Sequence, residues 1–198
     1  GALTGGIYFE PWLRVYAPDG TLVGSTDPVN IAAVEVALTA TNSGTFTVLL
    51  CDGSYGGFDY SGTYQLSLAH APGDVFVSPS DEGGVMTNGV TYTGTNSIGD
   101  LDVWSFYGTL GDSNLFRIAT TNFTPWLRLY GPAGVLVAQA FTASTGNRTN
   151  YLTYTVTNKG NYTLVSSSYY VTQSGTYGLK QSRVPPDLIV PDTQVLNE

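Results

Sequence analysis

Cysteine occurs once in the 198 residues, at Cys51, and histidine once, at His70. One thiol excludes an internal disulfide and any metal cluster built on several cysteines. A single histidine, with no cysteine beside it and no Gly-x-Ser-x-Gly motif, leaves no nucleophile–base pair. Lysine and arginine together number only 7 against 15 acidic residues, for a net charge of −8. Nucleic acid is thereby excluded as a partner, because phosphate contacts need a basic surface. An anionic membrane surface is excluded on the same ground. No apolar run approaches the roughly 20 residues that cross a bilayer, so no membrane insertion is expected. The carboxylates are scattered through turns rather than paired in an aromatic cleft, which gives a glycosidase no support. Gly5-Gly6 and Gly83-Gly84 precede neither a helix nor a Lys-Ser/Thr pair, so they are turn glycines and not a phosphate loop. No catalytic constellation is left, and the chain is not expected to be an enzyme.

What is present is a strand-and-turn composition. Gly (24) and Tyr (14) are plentiful, Ser and Thr recur throughout, and charged residues make up only 11 %. Helices favour Ala, Leu, Glu and Lys, whereas strands favour aromatic and β-branched residues. Helical periodicity is absent, and the expectation is an all-β chain. An acidic, lysine-poor surface suits a secreted protein and divalent cations.

The stretch Pro125-Trp126-Leu127-Arg128-Leu129-Tyr130-Gly131-Pro132-Ala133-Gly134 occurs twice. Its earlier copy, Pro11-Trp12-Leu13-Arg14-Val15-Tyr16-Ala17-Pro18-Asp19-Gly20, lies 114 positions upstream. An internal repeat of this length sets the architecture. Both copies continue alike. Ala33–Thr39 parallels Tyr151–Thr157, the turns Asn42-Ser43-Gly44 and Asn158-Lys159-Gly160 follow, and Thr45–Val48 matches Asn161–Leu164. A last strand is expected at Ser61–Leu66 and at Ser174–Leu179. Residues 1–74 therefore read as an incomplete first β-sandwich repeat without its N-terminal strands, with Gly1–Gly6 as a loop. Residues 75–184 read as a complete second repeat of about 110 residues. Residues 185–198 read as a stiff proline linker and an extended tail, either the first strand of a next domain or a donor strand. The chain begins inside a repeat and without a signal peptide, as expected for a piece of a longer protein.

The run Gly99-Asp100-x-Asp102-x-Trp104-x-Phe106, then Gly111-Asp112, Leu127-x-Leu129-Tyr130-x-Pro132-x-Gly134, Gly160-Asn161-Tyr162-Thr163-Leu164 and Gly175-Thr176-Tyr177-x-Leu179 resembles the bacterial pre-peptidase C-terminal domain. The resemblance covers the second repeat and the later two thirds of the first. It implies tandem jelly-roll β-sandwiches in secreted, modular bacterial proteins, similar to collagen-binding and carbohydrate-binding modules. It also implies a non-catalytic accessory, and several related modules bind calcium. The tandem form resembles repeat arrays of very large surface proteins.

Two groups of residues are candidate sites. In the strand Leu101–Tyr107, Trp104 and Phe106 share one face, and Asp102 shares their parity. A carboxylate on an inward face costs several kcal/mol unless it is paired or ligated. With Asp100, Asp81 and Glu82 nearby, a Ca²⁺ site is one solution; no cofactor is expected to be required, and Ca²⁺ is the one the residues could hold. The other solution is that Asp100 and Asp102 accept backbone N–H bonds in the preceding turn. The second candidate is the repeated stripe. With Leu127 and Leu129 inward, Trp126, Arg128 and Tyr130 line the outer face, as Trp12, Arg14 and Tyr16 do in the first copy. The opposite parity, with the tryptophan buried, stays open at this point. Three uses of the stripe are open: packing against a neighbouring loop, an interface with other repeats or copies of the chain, and a platform for polysaccharide.

The expected function is a non-catalytic extracellular structural or adhesive module of a large bacterial surface protein. Self-assembly into a fibre by strand complementation is one route by which the missing strands could be supplied. The alternative is a carbohydrate-binding accessory module of a secreted hydrolase.

Overall fold

Alternation of apolar and polar residues decides which side each strand buries. In the strand Ser113–Thr120, Asn114, Phe116 and Ile118 are buried while Ser113, Leu115, Arg117 and Ala119 face outward. The computed structural model describes residues 9–27, 33–53, 60–73, 75–144, 146 and 148–185. Among them are twelve strands and no helix. These are β1 (Pro11–Tyr16), β2 (Leu22–Ser25), β3 (Thr47–Asp52), β4 (Gly83–Val85), β5 (Thr91–Asn96), β6 (Asp102–Gly108), β7 (Ser113–Thr120), β8 (Pro125–Tyr130), β9 (Leu136–Ala140), β10 (Thr149–Thr155), β11 (Gly160–Ser168) and β12 (Gly175–Val184).

Strands β4 to β12 make two sheets, in the orders β4-β6-β11-β8-β9 and β10-β7-β12-β5. Their facing side chains share one core. Trp104, Phe106, Leu127, Leu129, Tyr162 and Leu164 come from the first sheet, and Phe116, Ile118, Leu152, Tyr177 and Leu179 from the second. This is a β-sandwich. Burying each such aliphatic or aromatic side chain contributes about 1.5–3 kcal/mol, which makes this layer the chief source of stability. Phe106 stacks on Tyr162 with ring centroids 5.3 Å apart. Leu127 and Leu129 are fully buried, so the parity of β8 puts Trp126, Arg128 and Tyr130 outside.

Strands β1, β2 and β3 form a separate sheet in the order β2-β1-β3, and its geometry follows that of β9-β8-β11. Trp12 registers with Cys51 as Trp126 registers with Ser167. Each hairpin has a bulge at the same place, between Val15 and Tyr16 and between Leu129 and Tyr130. Each turn closes with a glycine at positive φ, Gly20 (84°) and Gly134 (74°), a conformation that costs other residues about 1–2 kcal/mol.

Beyond this hairpin the two units diverge. The expected strands at Ala33–Thr39 and Ser61–Leu66 have no ladder. Their counterparts in the second unit pair with β7 (for β10) and with β7 and β5 (for β12). Nothing in residues 1–74 aligns with β5, β6 or β7, and among the described residues no strand lies beside these segments. The inner face of the small sheet is left as an open crevice of about 1890 Å³ lined by Leu13, Val15, Val36, Leu50 and Leu66. Val48, Leu49, Leu66 and Leu68 are exposed. Gly1–Gly6 and the tail from Pro186 to Glu198 lie outside the described residues.

Candidate functional site

The acidic site is built where β6 begins. Gly99, at φ 76°, turns the chain so that Asp100 caps its own loop. Its Oδ2 accepts the Ser97 N–H at 3.1 Å and its Oδ1 the Leu101 N–H at 3.0 Å. Two residues later the pleat turns Asp102 inward, in line with Trp104 and Phe106, and this carboxylate has no solvent exposure. Neither of its oxygens has a hydrogen-bond partner among the described residues. Asp81 joins from the loop before β4, and one carboxylate oxygen from each of Asp81, Asp100 and Asp102 lies within 4.8 Å of the others. Oxygens bound to one Ca²⁺ at 2.3–2.6 Å are separated by no more than about twice that distance, so the spread fits a single ion. Glu82 is adjacent, its Oε1 accepting the Thr95 N–H at 2.9 Å, and it does not belong to this cluster of three.

Burial, followed by the charge of Asp100, pushes the Asp102 carboxyl up to about 8. Asp100 is raised as well, first by burial and then by Asp81, against the lowering effect of its own N–H bonds. Tyr177 stands beside Asp102, and burial and that carboxylate drive its hydroxyl upward. The Tyr177 hydroxyl, the Ser166 Oγ and the Asn96 Oδ1 are buried without a hydrogen-bond partner. Ser166 is the register partner of Asp102. Buried oxygens that meet no hydrogen-bond partner among the described residues are a donor set that suits a hard cation. The residues fit Ca²⁺, with Asp81, Asp100 and Asp102 as the anionic ligands. Tyr177, Ser166 and Asn96 carry no charge or spacing that marks them in the sequence, and only the strand pairing brings Ser166 opposite Asp102.

The second constellation is the outer face of β8. The Arg128 guanidinium lies 4.1 Å from the centroid of the Trp126 ring. It donates to both carboxylate oxygens of Glu35 and to the Ser167 Oγ at 3.1 Å, and it is only 4 % exposed. The Trp126 Nε1 donates to the Gln139 Oε1 at 3.2 Å. The ring meets Phe141 and Tyr169 edge-on at 6.1 and 5.9 Å. Tyr130 ends the strand at the bulge, half-buried. On β1 the same pattern recurs. Arg14 lies 4.1 Å over Trp12 and donates to the Cys51 Sγ at 3.3 Å, the Trp12 Nε1 donates to the Ser25 Oγ at 3.1 Å, and Tyr16 sits at the bulge. No carboxylate contacts Arg14 among the described residues. Glu35 was not legible as a partner of Arg128. It is a lone charge between Val34 and Val36, and its role depends on how the two units meet.

Around Glu35 the junction has two further contacts. A Cβ at Gly99 would stand 3.3 Å from that of Ala33, and one at Gly134 would stand 2.7 Å from the Ala71 carbonyl oxygen.

No protein-family profile matches the chain, and no curated protein is similar to it. Among solved structures, the pre-peptidase C-terminal domain of a collagenase from Bacillus anthracis aligns with 51 % of this chain and 95 % of its own, at 17 % identity and a TM-score of 0.42. The periplasmic inhibitor of g-type lysozyme, PliG, from Aeromonas hydrophila aligns with 52 % of this chain and 96 % of its own, at 8 % identity and a TM-score of 0.42. The PliG of Salmonella Typhimurium covers 52 % and 99 %, at 17 % identity and a TM-score of 0.38. No helix among the described residues is long and apolar enough to cross a membrane.

Proposed function

We propose that the chain is a non-catalytic, extracellular structural module made of tandem jelly-roll repeats of the pre-peptidase C-terminal type, joined to other chains by strand complementation. The observation that carries this reading is the open sheet β2-β1-β3. In the sandwich, the second edge of β11 is filled by β6. The corresponding edge of β3 has no strand on it among the described residues, and the apolar crevice lies beneath. Unpaired edges over exposed apolar side chains are sites of strand addition. The donor has to present apolar residues to the crevice, and in the tail Leu188 and Val190 would share one strand face, with Leu196 at the same parity further on. Light scattering over a concentration series tests this. The full chain should assemble, and deletion of residues 185–198 should return it to monomers. Unchanged assembly after the deletion overturns the reading.

In the same module the Asp81–Asp100–Asp102 cluster binds Ca²⁺ and pins the loop before β4 to the start of β6. Isothermal titration of the chelated protein with CaCl₂ should give one site that Asp102→Ala removes. A silent titration would remove the ion from the account. Polysaccharide binding is the second reading, favoured by the aromatic group Trp126, Phe141, Tyr169 and Tyr170 at one end of β8. Glycan-array signals that vanish in Trp126→Ala would support it, and a silent array would count against it.

A further inference from the structure

The stripe Trp–Arg–Tyr is built twice but, among the described residues, has a carboxylate partner once. On β8 the guanidinium is flattened on Trp126, held from below by Ser167, and closed by Glu35. On β1 it is flattened on Trp12 at the same 4.1 Å and held by Cys51, the residue in register with Trp12 as Ser167 is with Trp126. Stacking on tryptophan leaves the edge of the guanidinium facing out, and that edge matches a carboxylate through two parallel N–H···O bonds. A half-buried arginine has given up part of its hydration, and pairing with an anion offsets that loss.

We propose that the Trp12–Arg14–Cys51 cradle is a docking site for a carboxylate carried on the outer side of a further β-unit. Its contact would be the one that Glu35 makes with Arg128 within this chain. The occupant is a unit of the first kind, with a glutamate at the Glu35 position. The second unit of another copy does not qualify as it stands, because the residue aligned with Glu35 is Thr153. That residue shares its outward face with Arg117 and Lys180 and offers no anion. The cradle thus selects which repeat stacks on which, and it gives an array of such repeats a direction. The inference rests on the tandem-repeat reading above, but it uses the outer face of the small sheet, opposite the crevice, so it holds whether or not strands are exchanged there.

The test gives the second unit the missing carboxylate. Thr153 is exposed on β10, so Thr153→Glu and Thr153→Gln leave the core untouched. In sedimentation velocity, chains carrying Thr153→Glu should associate head to tail about tenfold more tightly than those carrying Thr153→Gln, as a charged hydrogen-bonded pair implies. Adding Arg14→Gln to the Thr153→Glu chain should abolish the gain. If Arg14→Gln loses its strand signal in circular dichroism, Arg14→Lys serves instead. It keeps the charge without the fork and should lose most of the gain. Equal association of the Glu and Gln variants, or a gain that survives replacement of Arg14, overturns the proposal. Neither result bears on the deletion of residues 185–198, so the two readings fail separately.

Discussion

Asp100 and Asp102 are two residues apart, yet the turn supplies N–H donors to the first and none to the second. The parity of Asp102 was legible in the sequence because Trp104 and Phe106 mark the inward face two and four residues on. That its oxygens lack partners was not legible, since this depends on Ser97 and Leu101 both turning toward Asp100. A pH dependence follows from the surroundings. The unfolded carboxyl titrates near 3.8 and the folded one near 8, so between those values the native state holds a proton the unfolded state has lost. Stability in EDTA should therefore fall as pH rises from about 4 to about 8. Asp100, raised in the same direction, adds to the slope, while Asp81, Glu82 and Tyr177 are the other ionisable groups around the site. Thermal unfolding in EDTA at pH 5 and pH 8 checks this, with Asp102→Asn expected to flatten most of the difference. Calcium should raise the midpoint at pH 8 more than at pH 5, where the ion has to displace the proton. A midpoint in EDTA that is higher at pH 8 than at pH 5 would contradict the assignment.

At the scale of elements, the hairpins β1–β2 and β8–β9 were legible as a repeated strand–turn–strand, because the motif carries both the alternation and the turn glycine. The segments 33–39 and 61–66 show the limit of that legibility. Their sequences parallel β10 and β12, but a strand exists only where a neighbour accepts its hydrogen bonds, and the aligned neighbours are absent from residues 1–74. The paired turn glycines give a controlled comparison. Gly20 and Gly134 share a left-handed backbone. A Cβ at Gly20 meets nothing within 4 Å, while one at Gly134 would stand 2.5 Å from Pro72 and 2.7 Å from the Ala71 carbonyl oxygen. Gly20→Ala should cost about 1–2 kcal/mol, the conformational term alone. Gly134→Ala should cost more, because it also forces the first unit off the hairpin. Urea midpoints of the two variants decide it, and equal losses would mean that the 71–72 contact contributes nothing.

At the scale of the whole molecule, a closed sandwich and an open first unit meet, among the described residues, at one charged contact. The sandwich rests on a closed core, and Leu127→Ala should cost about 2–5 kcal/mol by leaving a cavity there. The first unit has one small sheet, an open crevice and the Glu35–Arg128 pair. Glu35→Gln leaves Arg128, whose side chain is 5 % exposed, without its anion. A pair of which one member is buried and the other about a fifth exposed lies between the surface and the interior cases. The expected loss is about 2 kcal/mol, and it should fall on the junction rather than on the sandwich. The two substitutions should thus separate under limited proteolysis. Glu35→Gln should speed cleavage within residues 33–72 while the fragment spanning β4 to β12 persists, because opening of the weaker unit does not require the core to open. Leu127→Ala should instead speed loss of that fragment. If Glu35→Gln shortens the life of both parts equally, the units unfold as one, and the ion pair is a component of a single cooperative structure instead of a latch between two.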